Sequence, residues 1–247
     1  MHIRTAHPLV SIVIPIVKND IHIKECVSAI KKSTYKNVDI VIVDEGLERS
    51  AQRNIGMKRA KGKYFLILDS DMMLTRHVIY NCVEKMESDK SLVGMYIPER
   101  IVTPGWFGRL RDWERQFYNG TLVDVVRFVK NDCPKFDETL HGVEDSDWER
   151  QIIGKKATCD YEVHHHDKCG VIKFLKKKNY YAKCLSAYKK NPDDKLLTMK
   201  YRCFDVFVQD GKWKRLLQKP HYTVGVALLL LARGIIFYAN TISHRRV

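Results

Sequence analysis

Two carboxylates one residue apart, Asp69 and Asp71, follow the apolar run Tyr64 to Leu68 with only Ser70 between them. Two hard oxygen donors on a short turn can hold Mg²⁺ or Mn²⁺ and leave coordination positions for a substrate diphosphate. The ion then neutralises charge that develops on a departing phosphate. A second acidic group, Glu144, Asp145 and Asp147, lies in FDETLHGVEDSDWER, from Phe136 to Arg150. One of these can act as a general base toward a hydroxyl nucleophile if it comes within hydrogen-bond reach. The alternative is a set of solvated acids at a helix start, where carboxylates are favoured. A third group is His164, His165 and His166, in EVHHHD. In an extended segment His164 and His166 share a face and His165 points away. One of the three can complete a metal shell begun by Asp71, the alternative being a surface histidine tract. Zinc chemistry on the histidines alone is disfavoured, because the sequence holds no H-E-x-x-H.

A lone D-x-D recurs by chance in a chain of this length, so its weight comes from where it falls. LVSIVIPIV (from Leu9), VDIVIV (ending before Asp44) and YFLIL are almost unbroken apolar runs. That is the pattern of strands buried on both faces of a parallel sheet. Between the first two, Ile23, Cys26, Val27 and Ile30 recur at helical spacing. SAQRNIGMKRAKG has helical composition and closes on Gly62. Val78, Ile79, Cys82, Val83 and Met86 mark one face of another helix, with Thr75 as its cap. The reading is an α/β fold with a mainly parallel sheet flanked by helices. Ligands in such folds bind beyond the carboxyl ends of the strands, where Asp44, Asp69 and Asp71 fall. Further on, Trp106, Leu110, Trp113 and Phe117 form a helical stripe with Arg109, Arg111 and Arg115 between them. The stripe reads either as core packing or as a flap or membrane-facing helix.

With 45% hydrophobic and 29% charged residues, the 247-residue chain is expected to fold. Its formal charge of +14 points to an anionic partner: nucleic acid, a phosphate-bearing ligand or an acidic membrane surface. Most of the excess lies between Lys168 and Lys219, where fifteen Lys and Arg face four Asp. That run leads into YTVGVALLLLARGIIFYAN, Tyr222 to Asn240. The segment is near the roughly 20 residues a bilayer span requires, but Arg233 interrupts it and both flanks are basic. A helix lying in the interface, or shallowly re-entrant, with both ends on the cytoplasmic side is preferred over a clean span. An ordinary core helix is the other reading. Seven cysteines without a C-x-x-C argue against a disulfide framework or a cysteine zinc site and fit reduced cytosolic thiols. No targeting segment is expected before Ser11.

Taken together, these segments resemble the family 2 glycosyltransferases, nucleotide-diphospho-sugar transferases of the GT-A fold. VSIVIPIVKND is similar to the family's opening strand. SAQRNIGMKRAKGKYFLILDSD resembles its R-N-x-G, A-x-G and D-x-D sequence. FDETLHGVEDSDWER resembles its F-D-E, G-x-E-D and D-[LW]-x-x-R segment, and HHHDK sits where the family often places a metal-binding histidine. The likeness covers about residues 9 to 190. It implies a GT-A catalytic domain over 1–170, a basic helical membrane-proximal region over 171–219 and a membrane-associated helix with a basic tail over 220–247.

The resemblance also implies roles. Asp44 would contact the base or ribose, and Arg53 and Asn54 would shape the nucleotide pocket. Pro15 and Val17 would line that pocket by their backbone, with Glu144 among the donor-binding residues. Asp69 would serve the ribose, pyrophosphate or metal, and Asp71 the Mn²⁺ or Mg²⁺ ion. His166 would be the extra metal ligand, with His164 next, and Asp145 the general base. VDEGLERS departs from the family's usual acidic-Gly-Ser turn, and only nine positions separate Asp44 from Arg53, so a smaller sheet is expected.

The function implied is inverting, metal-dependent transfer of a hexose from a nucleotide diphosphate sugar. GDP-mannose is slightly favoured over UDP-glucose. The acceptor is a hydroxyl of a lipid or lipid-linked glycan at the cytoplasmic face of a membrane. A polyprenyl phosphate acceptor is the alternative within this class. From another class comes a basic nucleic-acid-binding protein, with Tyr180, Tyr181 and Tyr188 stacking on bases. It leaves the acidic strand ends and the apolar tail unexplained, and no nucleic-acid partner is expected.

Overall fold

The computed structural model describes residues 7–167, 170–188, 198 and 200–245. Part of the basic run, including Lys168, Lys189, Lys190 and Lys195, lies outside the described residues, as does Cys169. The other six cysteines are free thiols.

The three apolar runs form β1 (Val10–Pro15), β2 (Val38–Val43) and β3 (Tyr64–Ile67), with β2 and β3 both parallel to β1. Further along come β4 (Met72–Leu74), β5 (Leu92–Tyr96), β6 (Glu99–Ile101), β7 (Val126–Lys130), β8 (Lys155–Thr158) and β9 (Val163–His165). Six of these make one sheet in the order β2-β1-β3-β7-β5-β8. Strand β7 runs antiparallel to both neighbours and β8 runs parallel to β5, so the sheet is mixed, with its parallel half at β1 to β3. The remaining three form a small sheet, β4-β9-β6.

Burial on both faces explains the unbroken apolar runs of β1 and β3, whereas β2, expected to be buried alike, lies at the sheet edge and is only partly buried, with Ile42 exposed. Val10, Ile12, Ile14, Leu66 and Leu68 join one core with Cys26 and Ile30 of α1 (Ile23–Lys31). Ile79, Cys82 and Met86 of a later helix, Val78–Ser88, complete that side. The intervening Val13, Phe65 and Ile67 point the other way, into a core shared with Trp148 and Ile152. That second face is covered by α2 (Arg49–Arg59), which precedes α3 (Val78–Ser88), and by α5 (Glu144–Gln151). Gly56 lets α2 approach β1 closely: a Cβ there would lie 2.3 Å from Val13 Cγ1. Ser11, fully buried in β1, is satisfied by accepting from the Lys61 and Gly62 amides and donating to Asp39.

A third core joins α4 (Gly105–Tyr118) to the C-terminal helices. These are α6 (Val171–Ala187), the short α7 (Val206–Val208), α8 (Trp213–Gln218) and α9 (Pro220–Arg245). Leu110, Trp113 and Phe117 are buried with Phe207, Tyr222 and Val226. Three of the four stripe residues are therefore packing, while Trp106 stays half exposed. Arg233 also turns inward: its Nη1 and Nη2 donate to Glu114 Oε1 and Oε2 at 2.6 and 3.0 Å, and Glu114 is fully buried. On the far side of α9, Val224, Leu228, Leu231, Ile235 and Tyr238 form an exposed apolar stripe. Pro220–Asn240 is long and apolar enough to cross a bilayer by length and composition.

Candidate active site

The carboxyl end of β3 turns through Asp69, Ser70 and Asp71 into β4, closed by a bond from the Met72 amide to the Asp69 carbonyl of 3.0 Å. Strand β4 pairs antiparallel with β9, Met72 opposite His165, and the His166 amide donates to the Asp71 carbonyl at 2.9 Å. The small sheet thus carries the histidine segment to the acidic turn. The ring that reaches the acid is His165. Its Nε2 lies 3.2 Å from Asp71 Oδ2 and its Nδ1 2.7 Å from Glu99 Oε1. His164 lies instead 3.1 Å from Glu162, and what joins His166 to the turn is its backbone. The sequence expectation is His166, then His164; the ring contact with Asp71 is made by His165. The alternation itself holds, but the face toward Asp71 is the one that begins with Val163, whose side chain is fully buried. An apolar residue two before His165 was the available signal.

Arg53 joins the second and first acidic groups. Its side chain is 2% exposed. Nη2 donates to Asp69 Oδ1 at 3.1 Å and Nη1 is ion-paired with Asp145 Oδ1. The guanidinium lies over the Phe136 ring, which stacks on Trp148 at 4.4 Å. Burial alone would raise the Asp69 carboxyl, but Arg53, Arg127 and Arg49 outweigh it and hold the group well below the ordinary carboxylate range. Arg127 stands 4.0 Å from Asp69 and 3.3 Å from Glu99, while Arg115 is 3.1 Å from Glu99 and 2.6 Å from Asp124. The three acidic positions therefore belong to one alternating charge network. Asp71 feels the same opposition: burial would raise it, and the His165 hydrogen bond and charge lower it. Sequence reasoning missed Glu99, Arg115, Arg127 and His165, which belong to different elements and meet only in the fold.

Asp145 keeps 40% of its side chain exposed, and Arg53 engages its Oδ1, so its second oxygen can face an acceptor. Its neighbour Glu144 is buried, with Oε2 lacking a hydrogen-bond partner, and burial followed by the Asp145 charge raises its carboxyl. Asp147 is occupied elsewhere. It accepts from Tyr188 Oη and Gln151 Nε2, which ties α5 to the end of α6. Gly142, at φ +75°, shapes the preceding turn; a Cβ there would lie 2.8 Å from Tyr181 Cδ1. Asn54 is turned to the loop ahead of α5, exchanging amide bonds of 2.9 Å with the Phe136 backbone and donating to Glu138 at 2.8 Å. Arg53 and Asn54 thus position other groups. Pro15 is buried and Val17 and Asp44 are exposed at the shared carboxyl edge of β1 and β2, where Gln52 Nε2 holds the Ile16 carbonyl at 2.9 Å.

Among the described residues no three His, Cys, Asp or Glu side chains form a preformed metal cage. The donors still suit a divalent ion. Asp71 is 35% exposed. The Glu99 carboxylate accepts from His165 Nδ1, which leaves Nε2 directed at Asp71, the carboxylate–histidine arrangement that orients a metal ligand. Asp69 is engaged by Arg53 and Asp71 by His165, and Asp71 is the more exposed of the two acids.

Known proteins resemble this chain in sequence and in fold. The family model described as Glycosyl transferase family 2 matches residues 45–135, from the carboxyl edge of β2 to the loop ahead of α5. The glycosyltransferase GlyG of Streptococcus pneumoniae serotype 4 is 29% identical over 36% of this chain and 39% of its own length. An uncharacterized glycosyltransferase of Rickettsia bellii is 28% identical over 58% of this chain and 27% of its own. The chain thus spans well under half the length of these two relatives. Among solved structures, the mannosyltransferase PcManGT of Pyrobaculum calidifontis, in complex with GDP-Man and Mn²⁺, superposes with a TM-score of 0.60 at 16% identity. That match covers 96% of this chain and 86% of the neighbour. S. aureus TarS 1–349 in complex with UDP-GlcNAc gives 0.52 at 14% identity, covering 96% and 91%. Residues 45–135 are thus similar in sequence to the family 2 glycosyltransferases, and the superpositions show that the chain has the GT-A fold.

Proposed function

We propose that the protein is an inverting hexosyltransferase that moves a sugar from a nucleotide diphosphate to a hydroxyl of a lipid or lipid-linked glycan at a membrane surface. The observation that carries this reading is the Asp69–Arg53–Asp145 bridge, which ties the acid turn at the end of β3 to the acid at the start of α5. A donor diphosphate would lie by Asp71, its nucleoside toward Pro15, Val17 and Asp44. An acceptor would enter beside Asp145.

A divalent ion, Mn²⁺ or Mg²⁺, would be held by Asp71 and His165 and would offset charge on the leaving diphosphate. The chain's own groups do the rest. Arg53 fixes the spacing between donor and acceptor sides, which is where positioning contributes most to rate. Asp145 Oδ2 takes the acceptor proton as the hydroxyl attacks the anomeric carbon from the face opposite the leaving group. GDP-mannose is favoured as donor by the likeness to PcManGT, whose complex contains it. The membrane surface is supported by the exposed stripe of α9 and the basic residues around it.

The test is turnover by the full chain with native-like lipid extract and Mn²⁺ or Mg²⁺, screening GDP-mannose and UDP-glucose. Sugar entering the lipid fraction, abolished by Asp71→Ala and reduced by Asp145→Asn, is the expected result. Activity untouched by Asp145→Asn would reassign the acceptor to a group that needs no base, such as a polyprenyl phosphate. No donor binding at all would sink the transferase reading.

A further inference from the structure

Strand β2 reads VDIVIV, the pattern of a strand buried on both faces, yet it stands at the free edge of the six-stranded sheet. Edge strands are normally blunted by lysine, proline, a bulge or shortness. None of these protects β2. It pairs with β1 in unbroken register from Val38 to Val43 and contains no lysine or proline. Its one charge, Asp39, is turned to β1, where it accepts from the Ser11 hydroxyl at 3.2 Å.

The backbone of this edge is open. The Val10 amide donates to the Asn37 carbonyl at 3.1 Å and the Ile16 amide to the Val43 carbonyl at 2.9 Å. Successive residues of a parallel strand offer their backbone groups to alternate sides. Asn37, Asp39, Val41 and Val43 therefore face β1, and Val38, Ile40 and Ile42 face outward. The Val38 amide turns back to the Lys36 carbonyl at 3.0 Å. Among the described residues the amides of Ile40 and Ile42 and the Val38 carbonyl meet no backbone partner. The side chains add an apolar border. Val38 and Ile40 pack partly buried against the core, while Ile42 is 42% exposed and shares an open groove with Ile23 and Val27 of α1.

The two ends of the strand carry opposite charge. Lys36 precedes β2 and reaches only the Lys31 carbonyl, at 3.3 Å. Asp44 follows β2 and is exposed. Among the described residues Lys36 meets no carboxylate and Asp44 no cation. A strand with a free cation before it and a free acid after it is complementary to itself turned end for end.

We propose that β2 pairs antiparallel with β2 of a second copy of this chain, about a two-fold axis at Ile40, so that one continuous sheet crosses the dimer. The two Ile40 residues exchange amide and carbonyl, and each Ile42 amide meets the Val38 carbonyl of the other copy. Every open amide of the edge then finds an acceptor. In the same register Ile42 lies opposite Val38 and Lys36 opposite Asp44, pairs of the kind that stabilise adjacent strands. The contact uses one patch twice and closes on itself. It does not depend on the transferase reading.

The test is the mass of the full chain in density-matched detergent, by sedimentation equilibrium, with amide hydrogen exchange on the same samples. A dimer with a micromolar or tighter dissociation constant is expected, the range of specific interfaces, with the Ile40 and Ile42 amides protected. Ile42→Lys should weaken the dimer about tenfold or more, since the two-fold repeats each change, and should release that protection while circular dichroism stays that of the folded chain. Lys36→Glu should weaken it likewise, and adding Asp44→Lys should restore it. Mass alone is read for the double variant, because Asp44 is also placed beside the nucleoside. Ile153→Lys, the same change at an exposed residue ahead of β8 on the sheet's other edge, should leave the dimer intact. So should Leu228→Lys on the outer stripe of α9. A monomer at micromolar concentration overturns the proposal. So does a dimer that survives Ile42→Lys, dissolves with Leu228→Lys or Ile153→Lys, or leaves the Ile40 and Ile42 amides in fast exchange. A double variant that stays monomeric overturns the register about Ile40.

Discussion

Arg53 Nη2 lies 3.1 Å from Asp69 Oδ1 while Nη1 of the same guanidinium pairs with Asp145, so one buried cation spans two carboxylates far apart in the chain. Arg53→Ala would leave both acids without their partner. Breaking a buried ion pair from one side costs about 3 kcal/mol or more. The partial exposure of Asp69 and Asp145 places the expected loss at the low end. Arg53→Lys, with a single ammonium, is expected to keep part of the stability and little of the activity, since it cannot meet both acids in a fixed fork. Chemical denaturation and turnover on the two variants check this; a fully active Arg53→Lys would refute the bridging role.

The histidine assignment separates cleanly by metal titration. His165→Ala should raise the Mn²⁺ concentration needed for half-maximal turnover, or weaken Mn²⁺ binding followed directly, by more than tenfold. His164→Ala should leave both unchanged. Glu99→Gln, which changes the partner of the far nitrogen of His165 as well as that of Arg115 and Arg127, should weaken the metal by about 10- to 100-fold, the usual effect of losing a ligand's orienting partner. Equal responses from His164 and His165 would contradict the geometry.

Gly56 is a packing position. With a Cβ 2.3 Å from Val13 Cγ1, Gly56→Ala must push α2 off β1. A loss of about 1–3 kcal/mol is expected from overpacking, partly recovered in the double variant with Val13→Ala. Activity should fall as well, because α2 carries Arg53.

Arg233 gives a test of how α9 sits. In a spanning helix, replacing an arginine by leucine would favour insertion. In the docked helix Arg233→Leu removes a bidentate partner of the buried Glu114. Thermal unfolding is therefore expected at lower temperature, with α9 more open to proteolysis. A stabilised protein would argue for the span.

Glu87 predicts acid behaviour. Hydrogen bonds from Lys63, Lys90 and Tyr64 hold its carboxyl down to about 2. A depressed carboxyl stabilises the fold above its unfolded value of about 4.3. That contribution is lost as pH falls toward 2. The stability difference between wild type and Glu87→Gln should be constant above pH 5 and shrink below it. A difference that persists unchanged at pH 2 would assign the effect to packing.

The alternating apolar runs, the helices between them and the position of the acids at strand ends were legible because burial writes itself into local pattern. Residues 9–90 read as strands and helices and fold as such, and Arg53, Asp69, Asp71 and Asp145 sit in motifs with recognisable neighbours. Other features were not legible. The antiparallel β7, between β3 and β5, has no local signature that sets its direction. The choice of His165 over its neighbours depends on which face of a three-residue strand meets the acid turn. The inward turn of Arg233 depends on a partner 119 residues away.

The sequence by itself determined the alternation of elements, the strand-end acids, the basic excess and the apolar tail, since each follows from residue type at a fixed local period. Only the tertiary structure decided that Arg53 couples two acidic groups and that Glu99 and Arg127 join them. Those pairings come from distant segments whose meeting is set by packing, and a charge's meaning depends on what stands within a few ångströms of it.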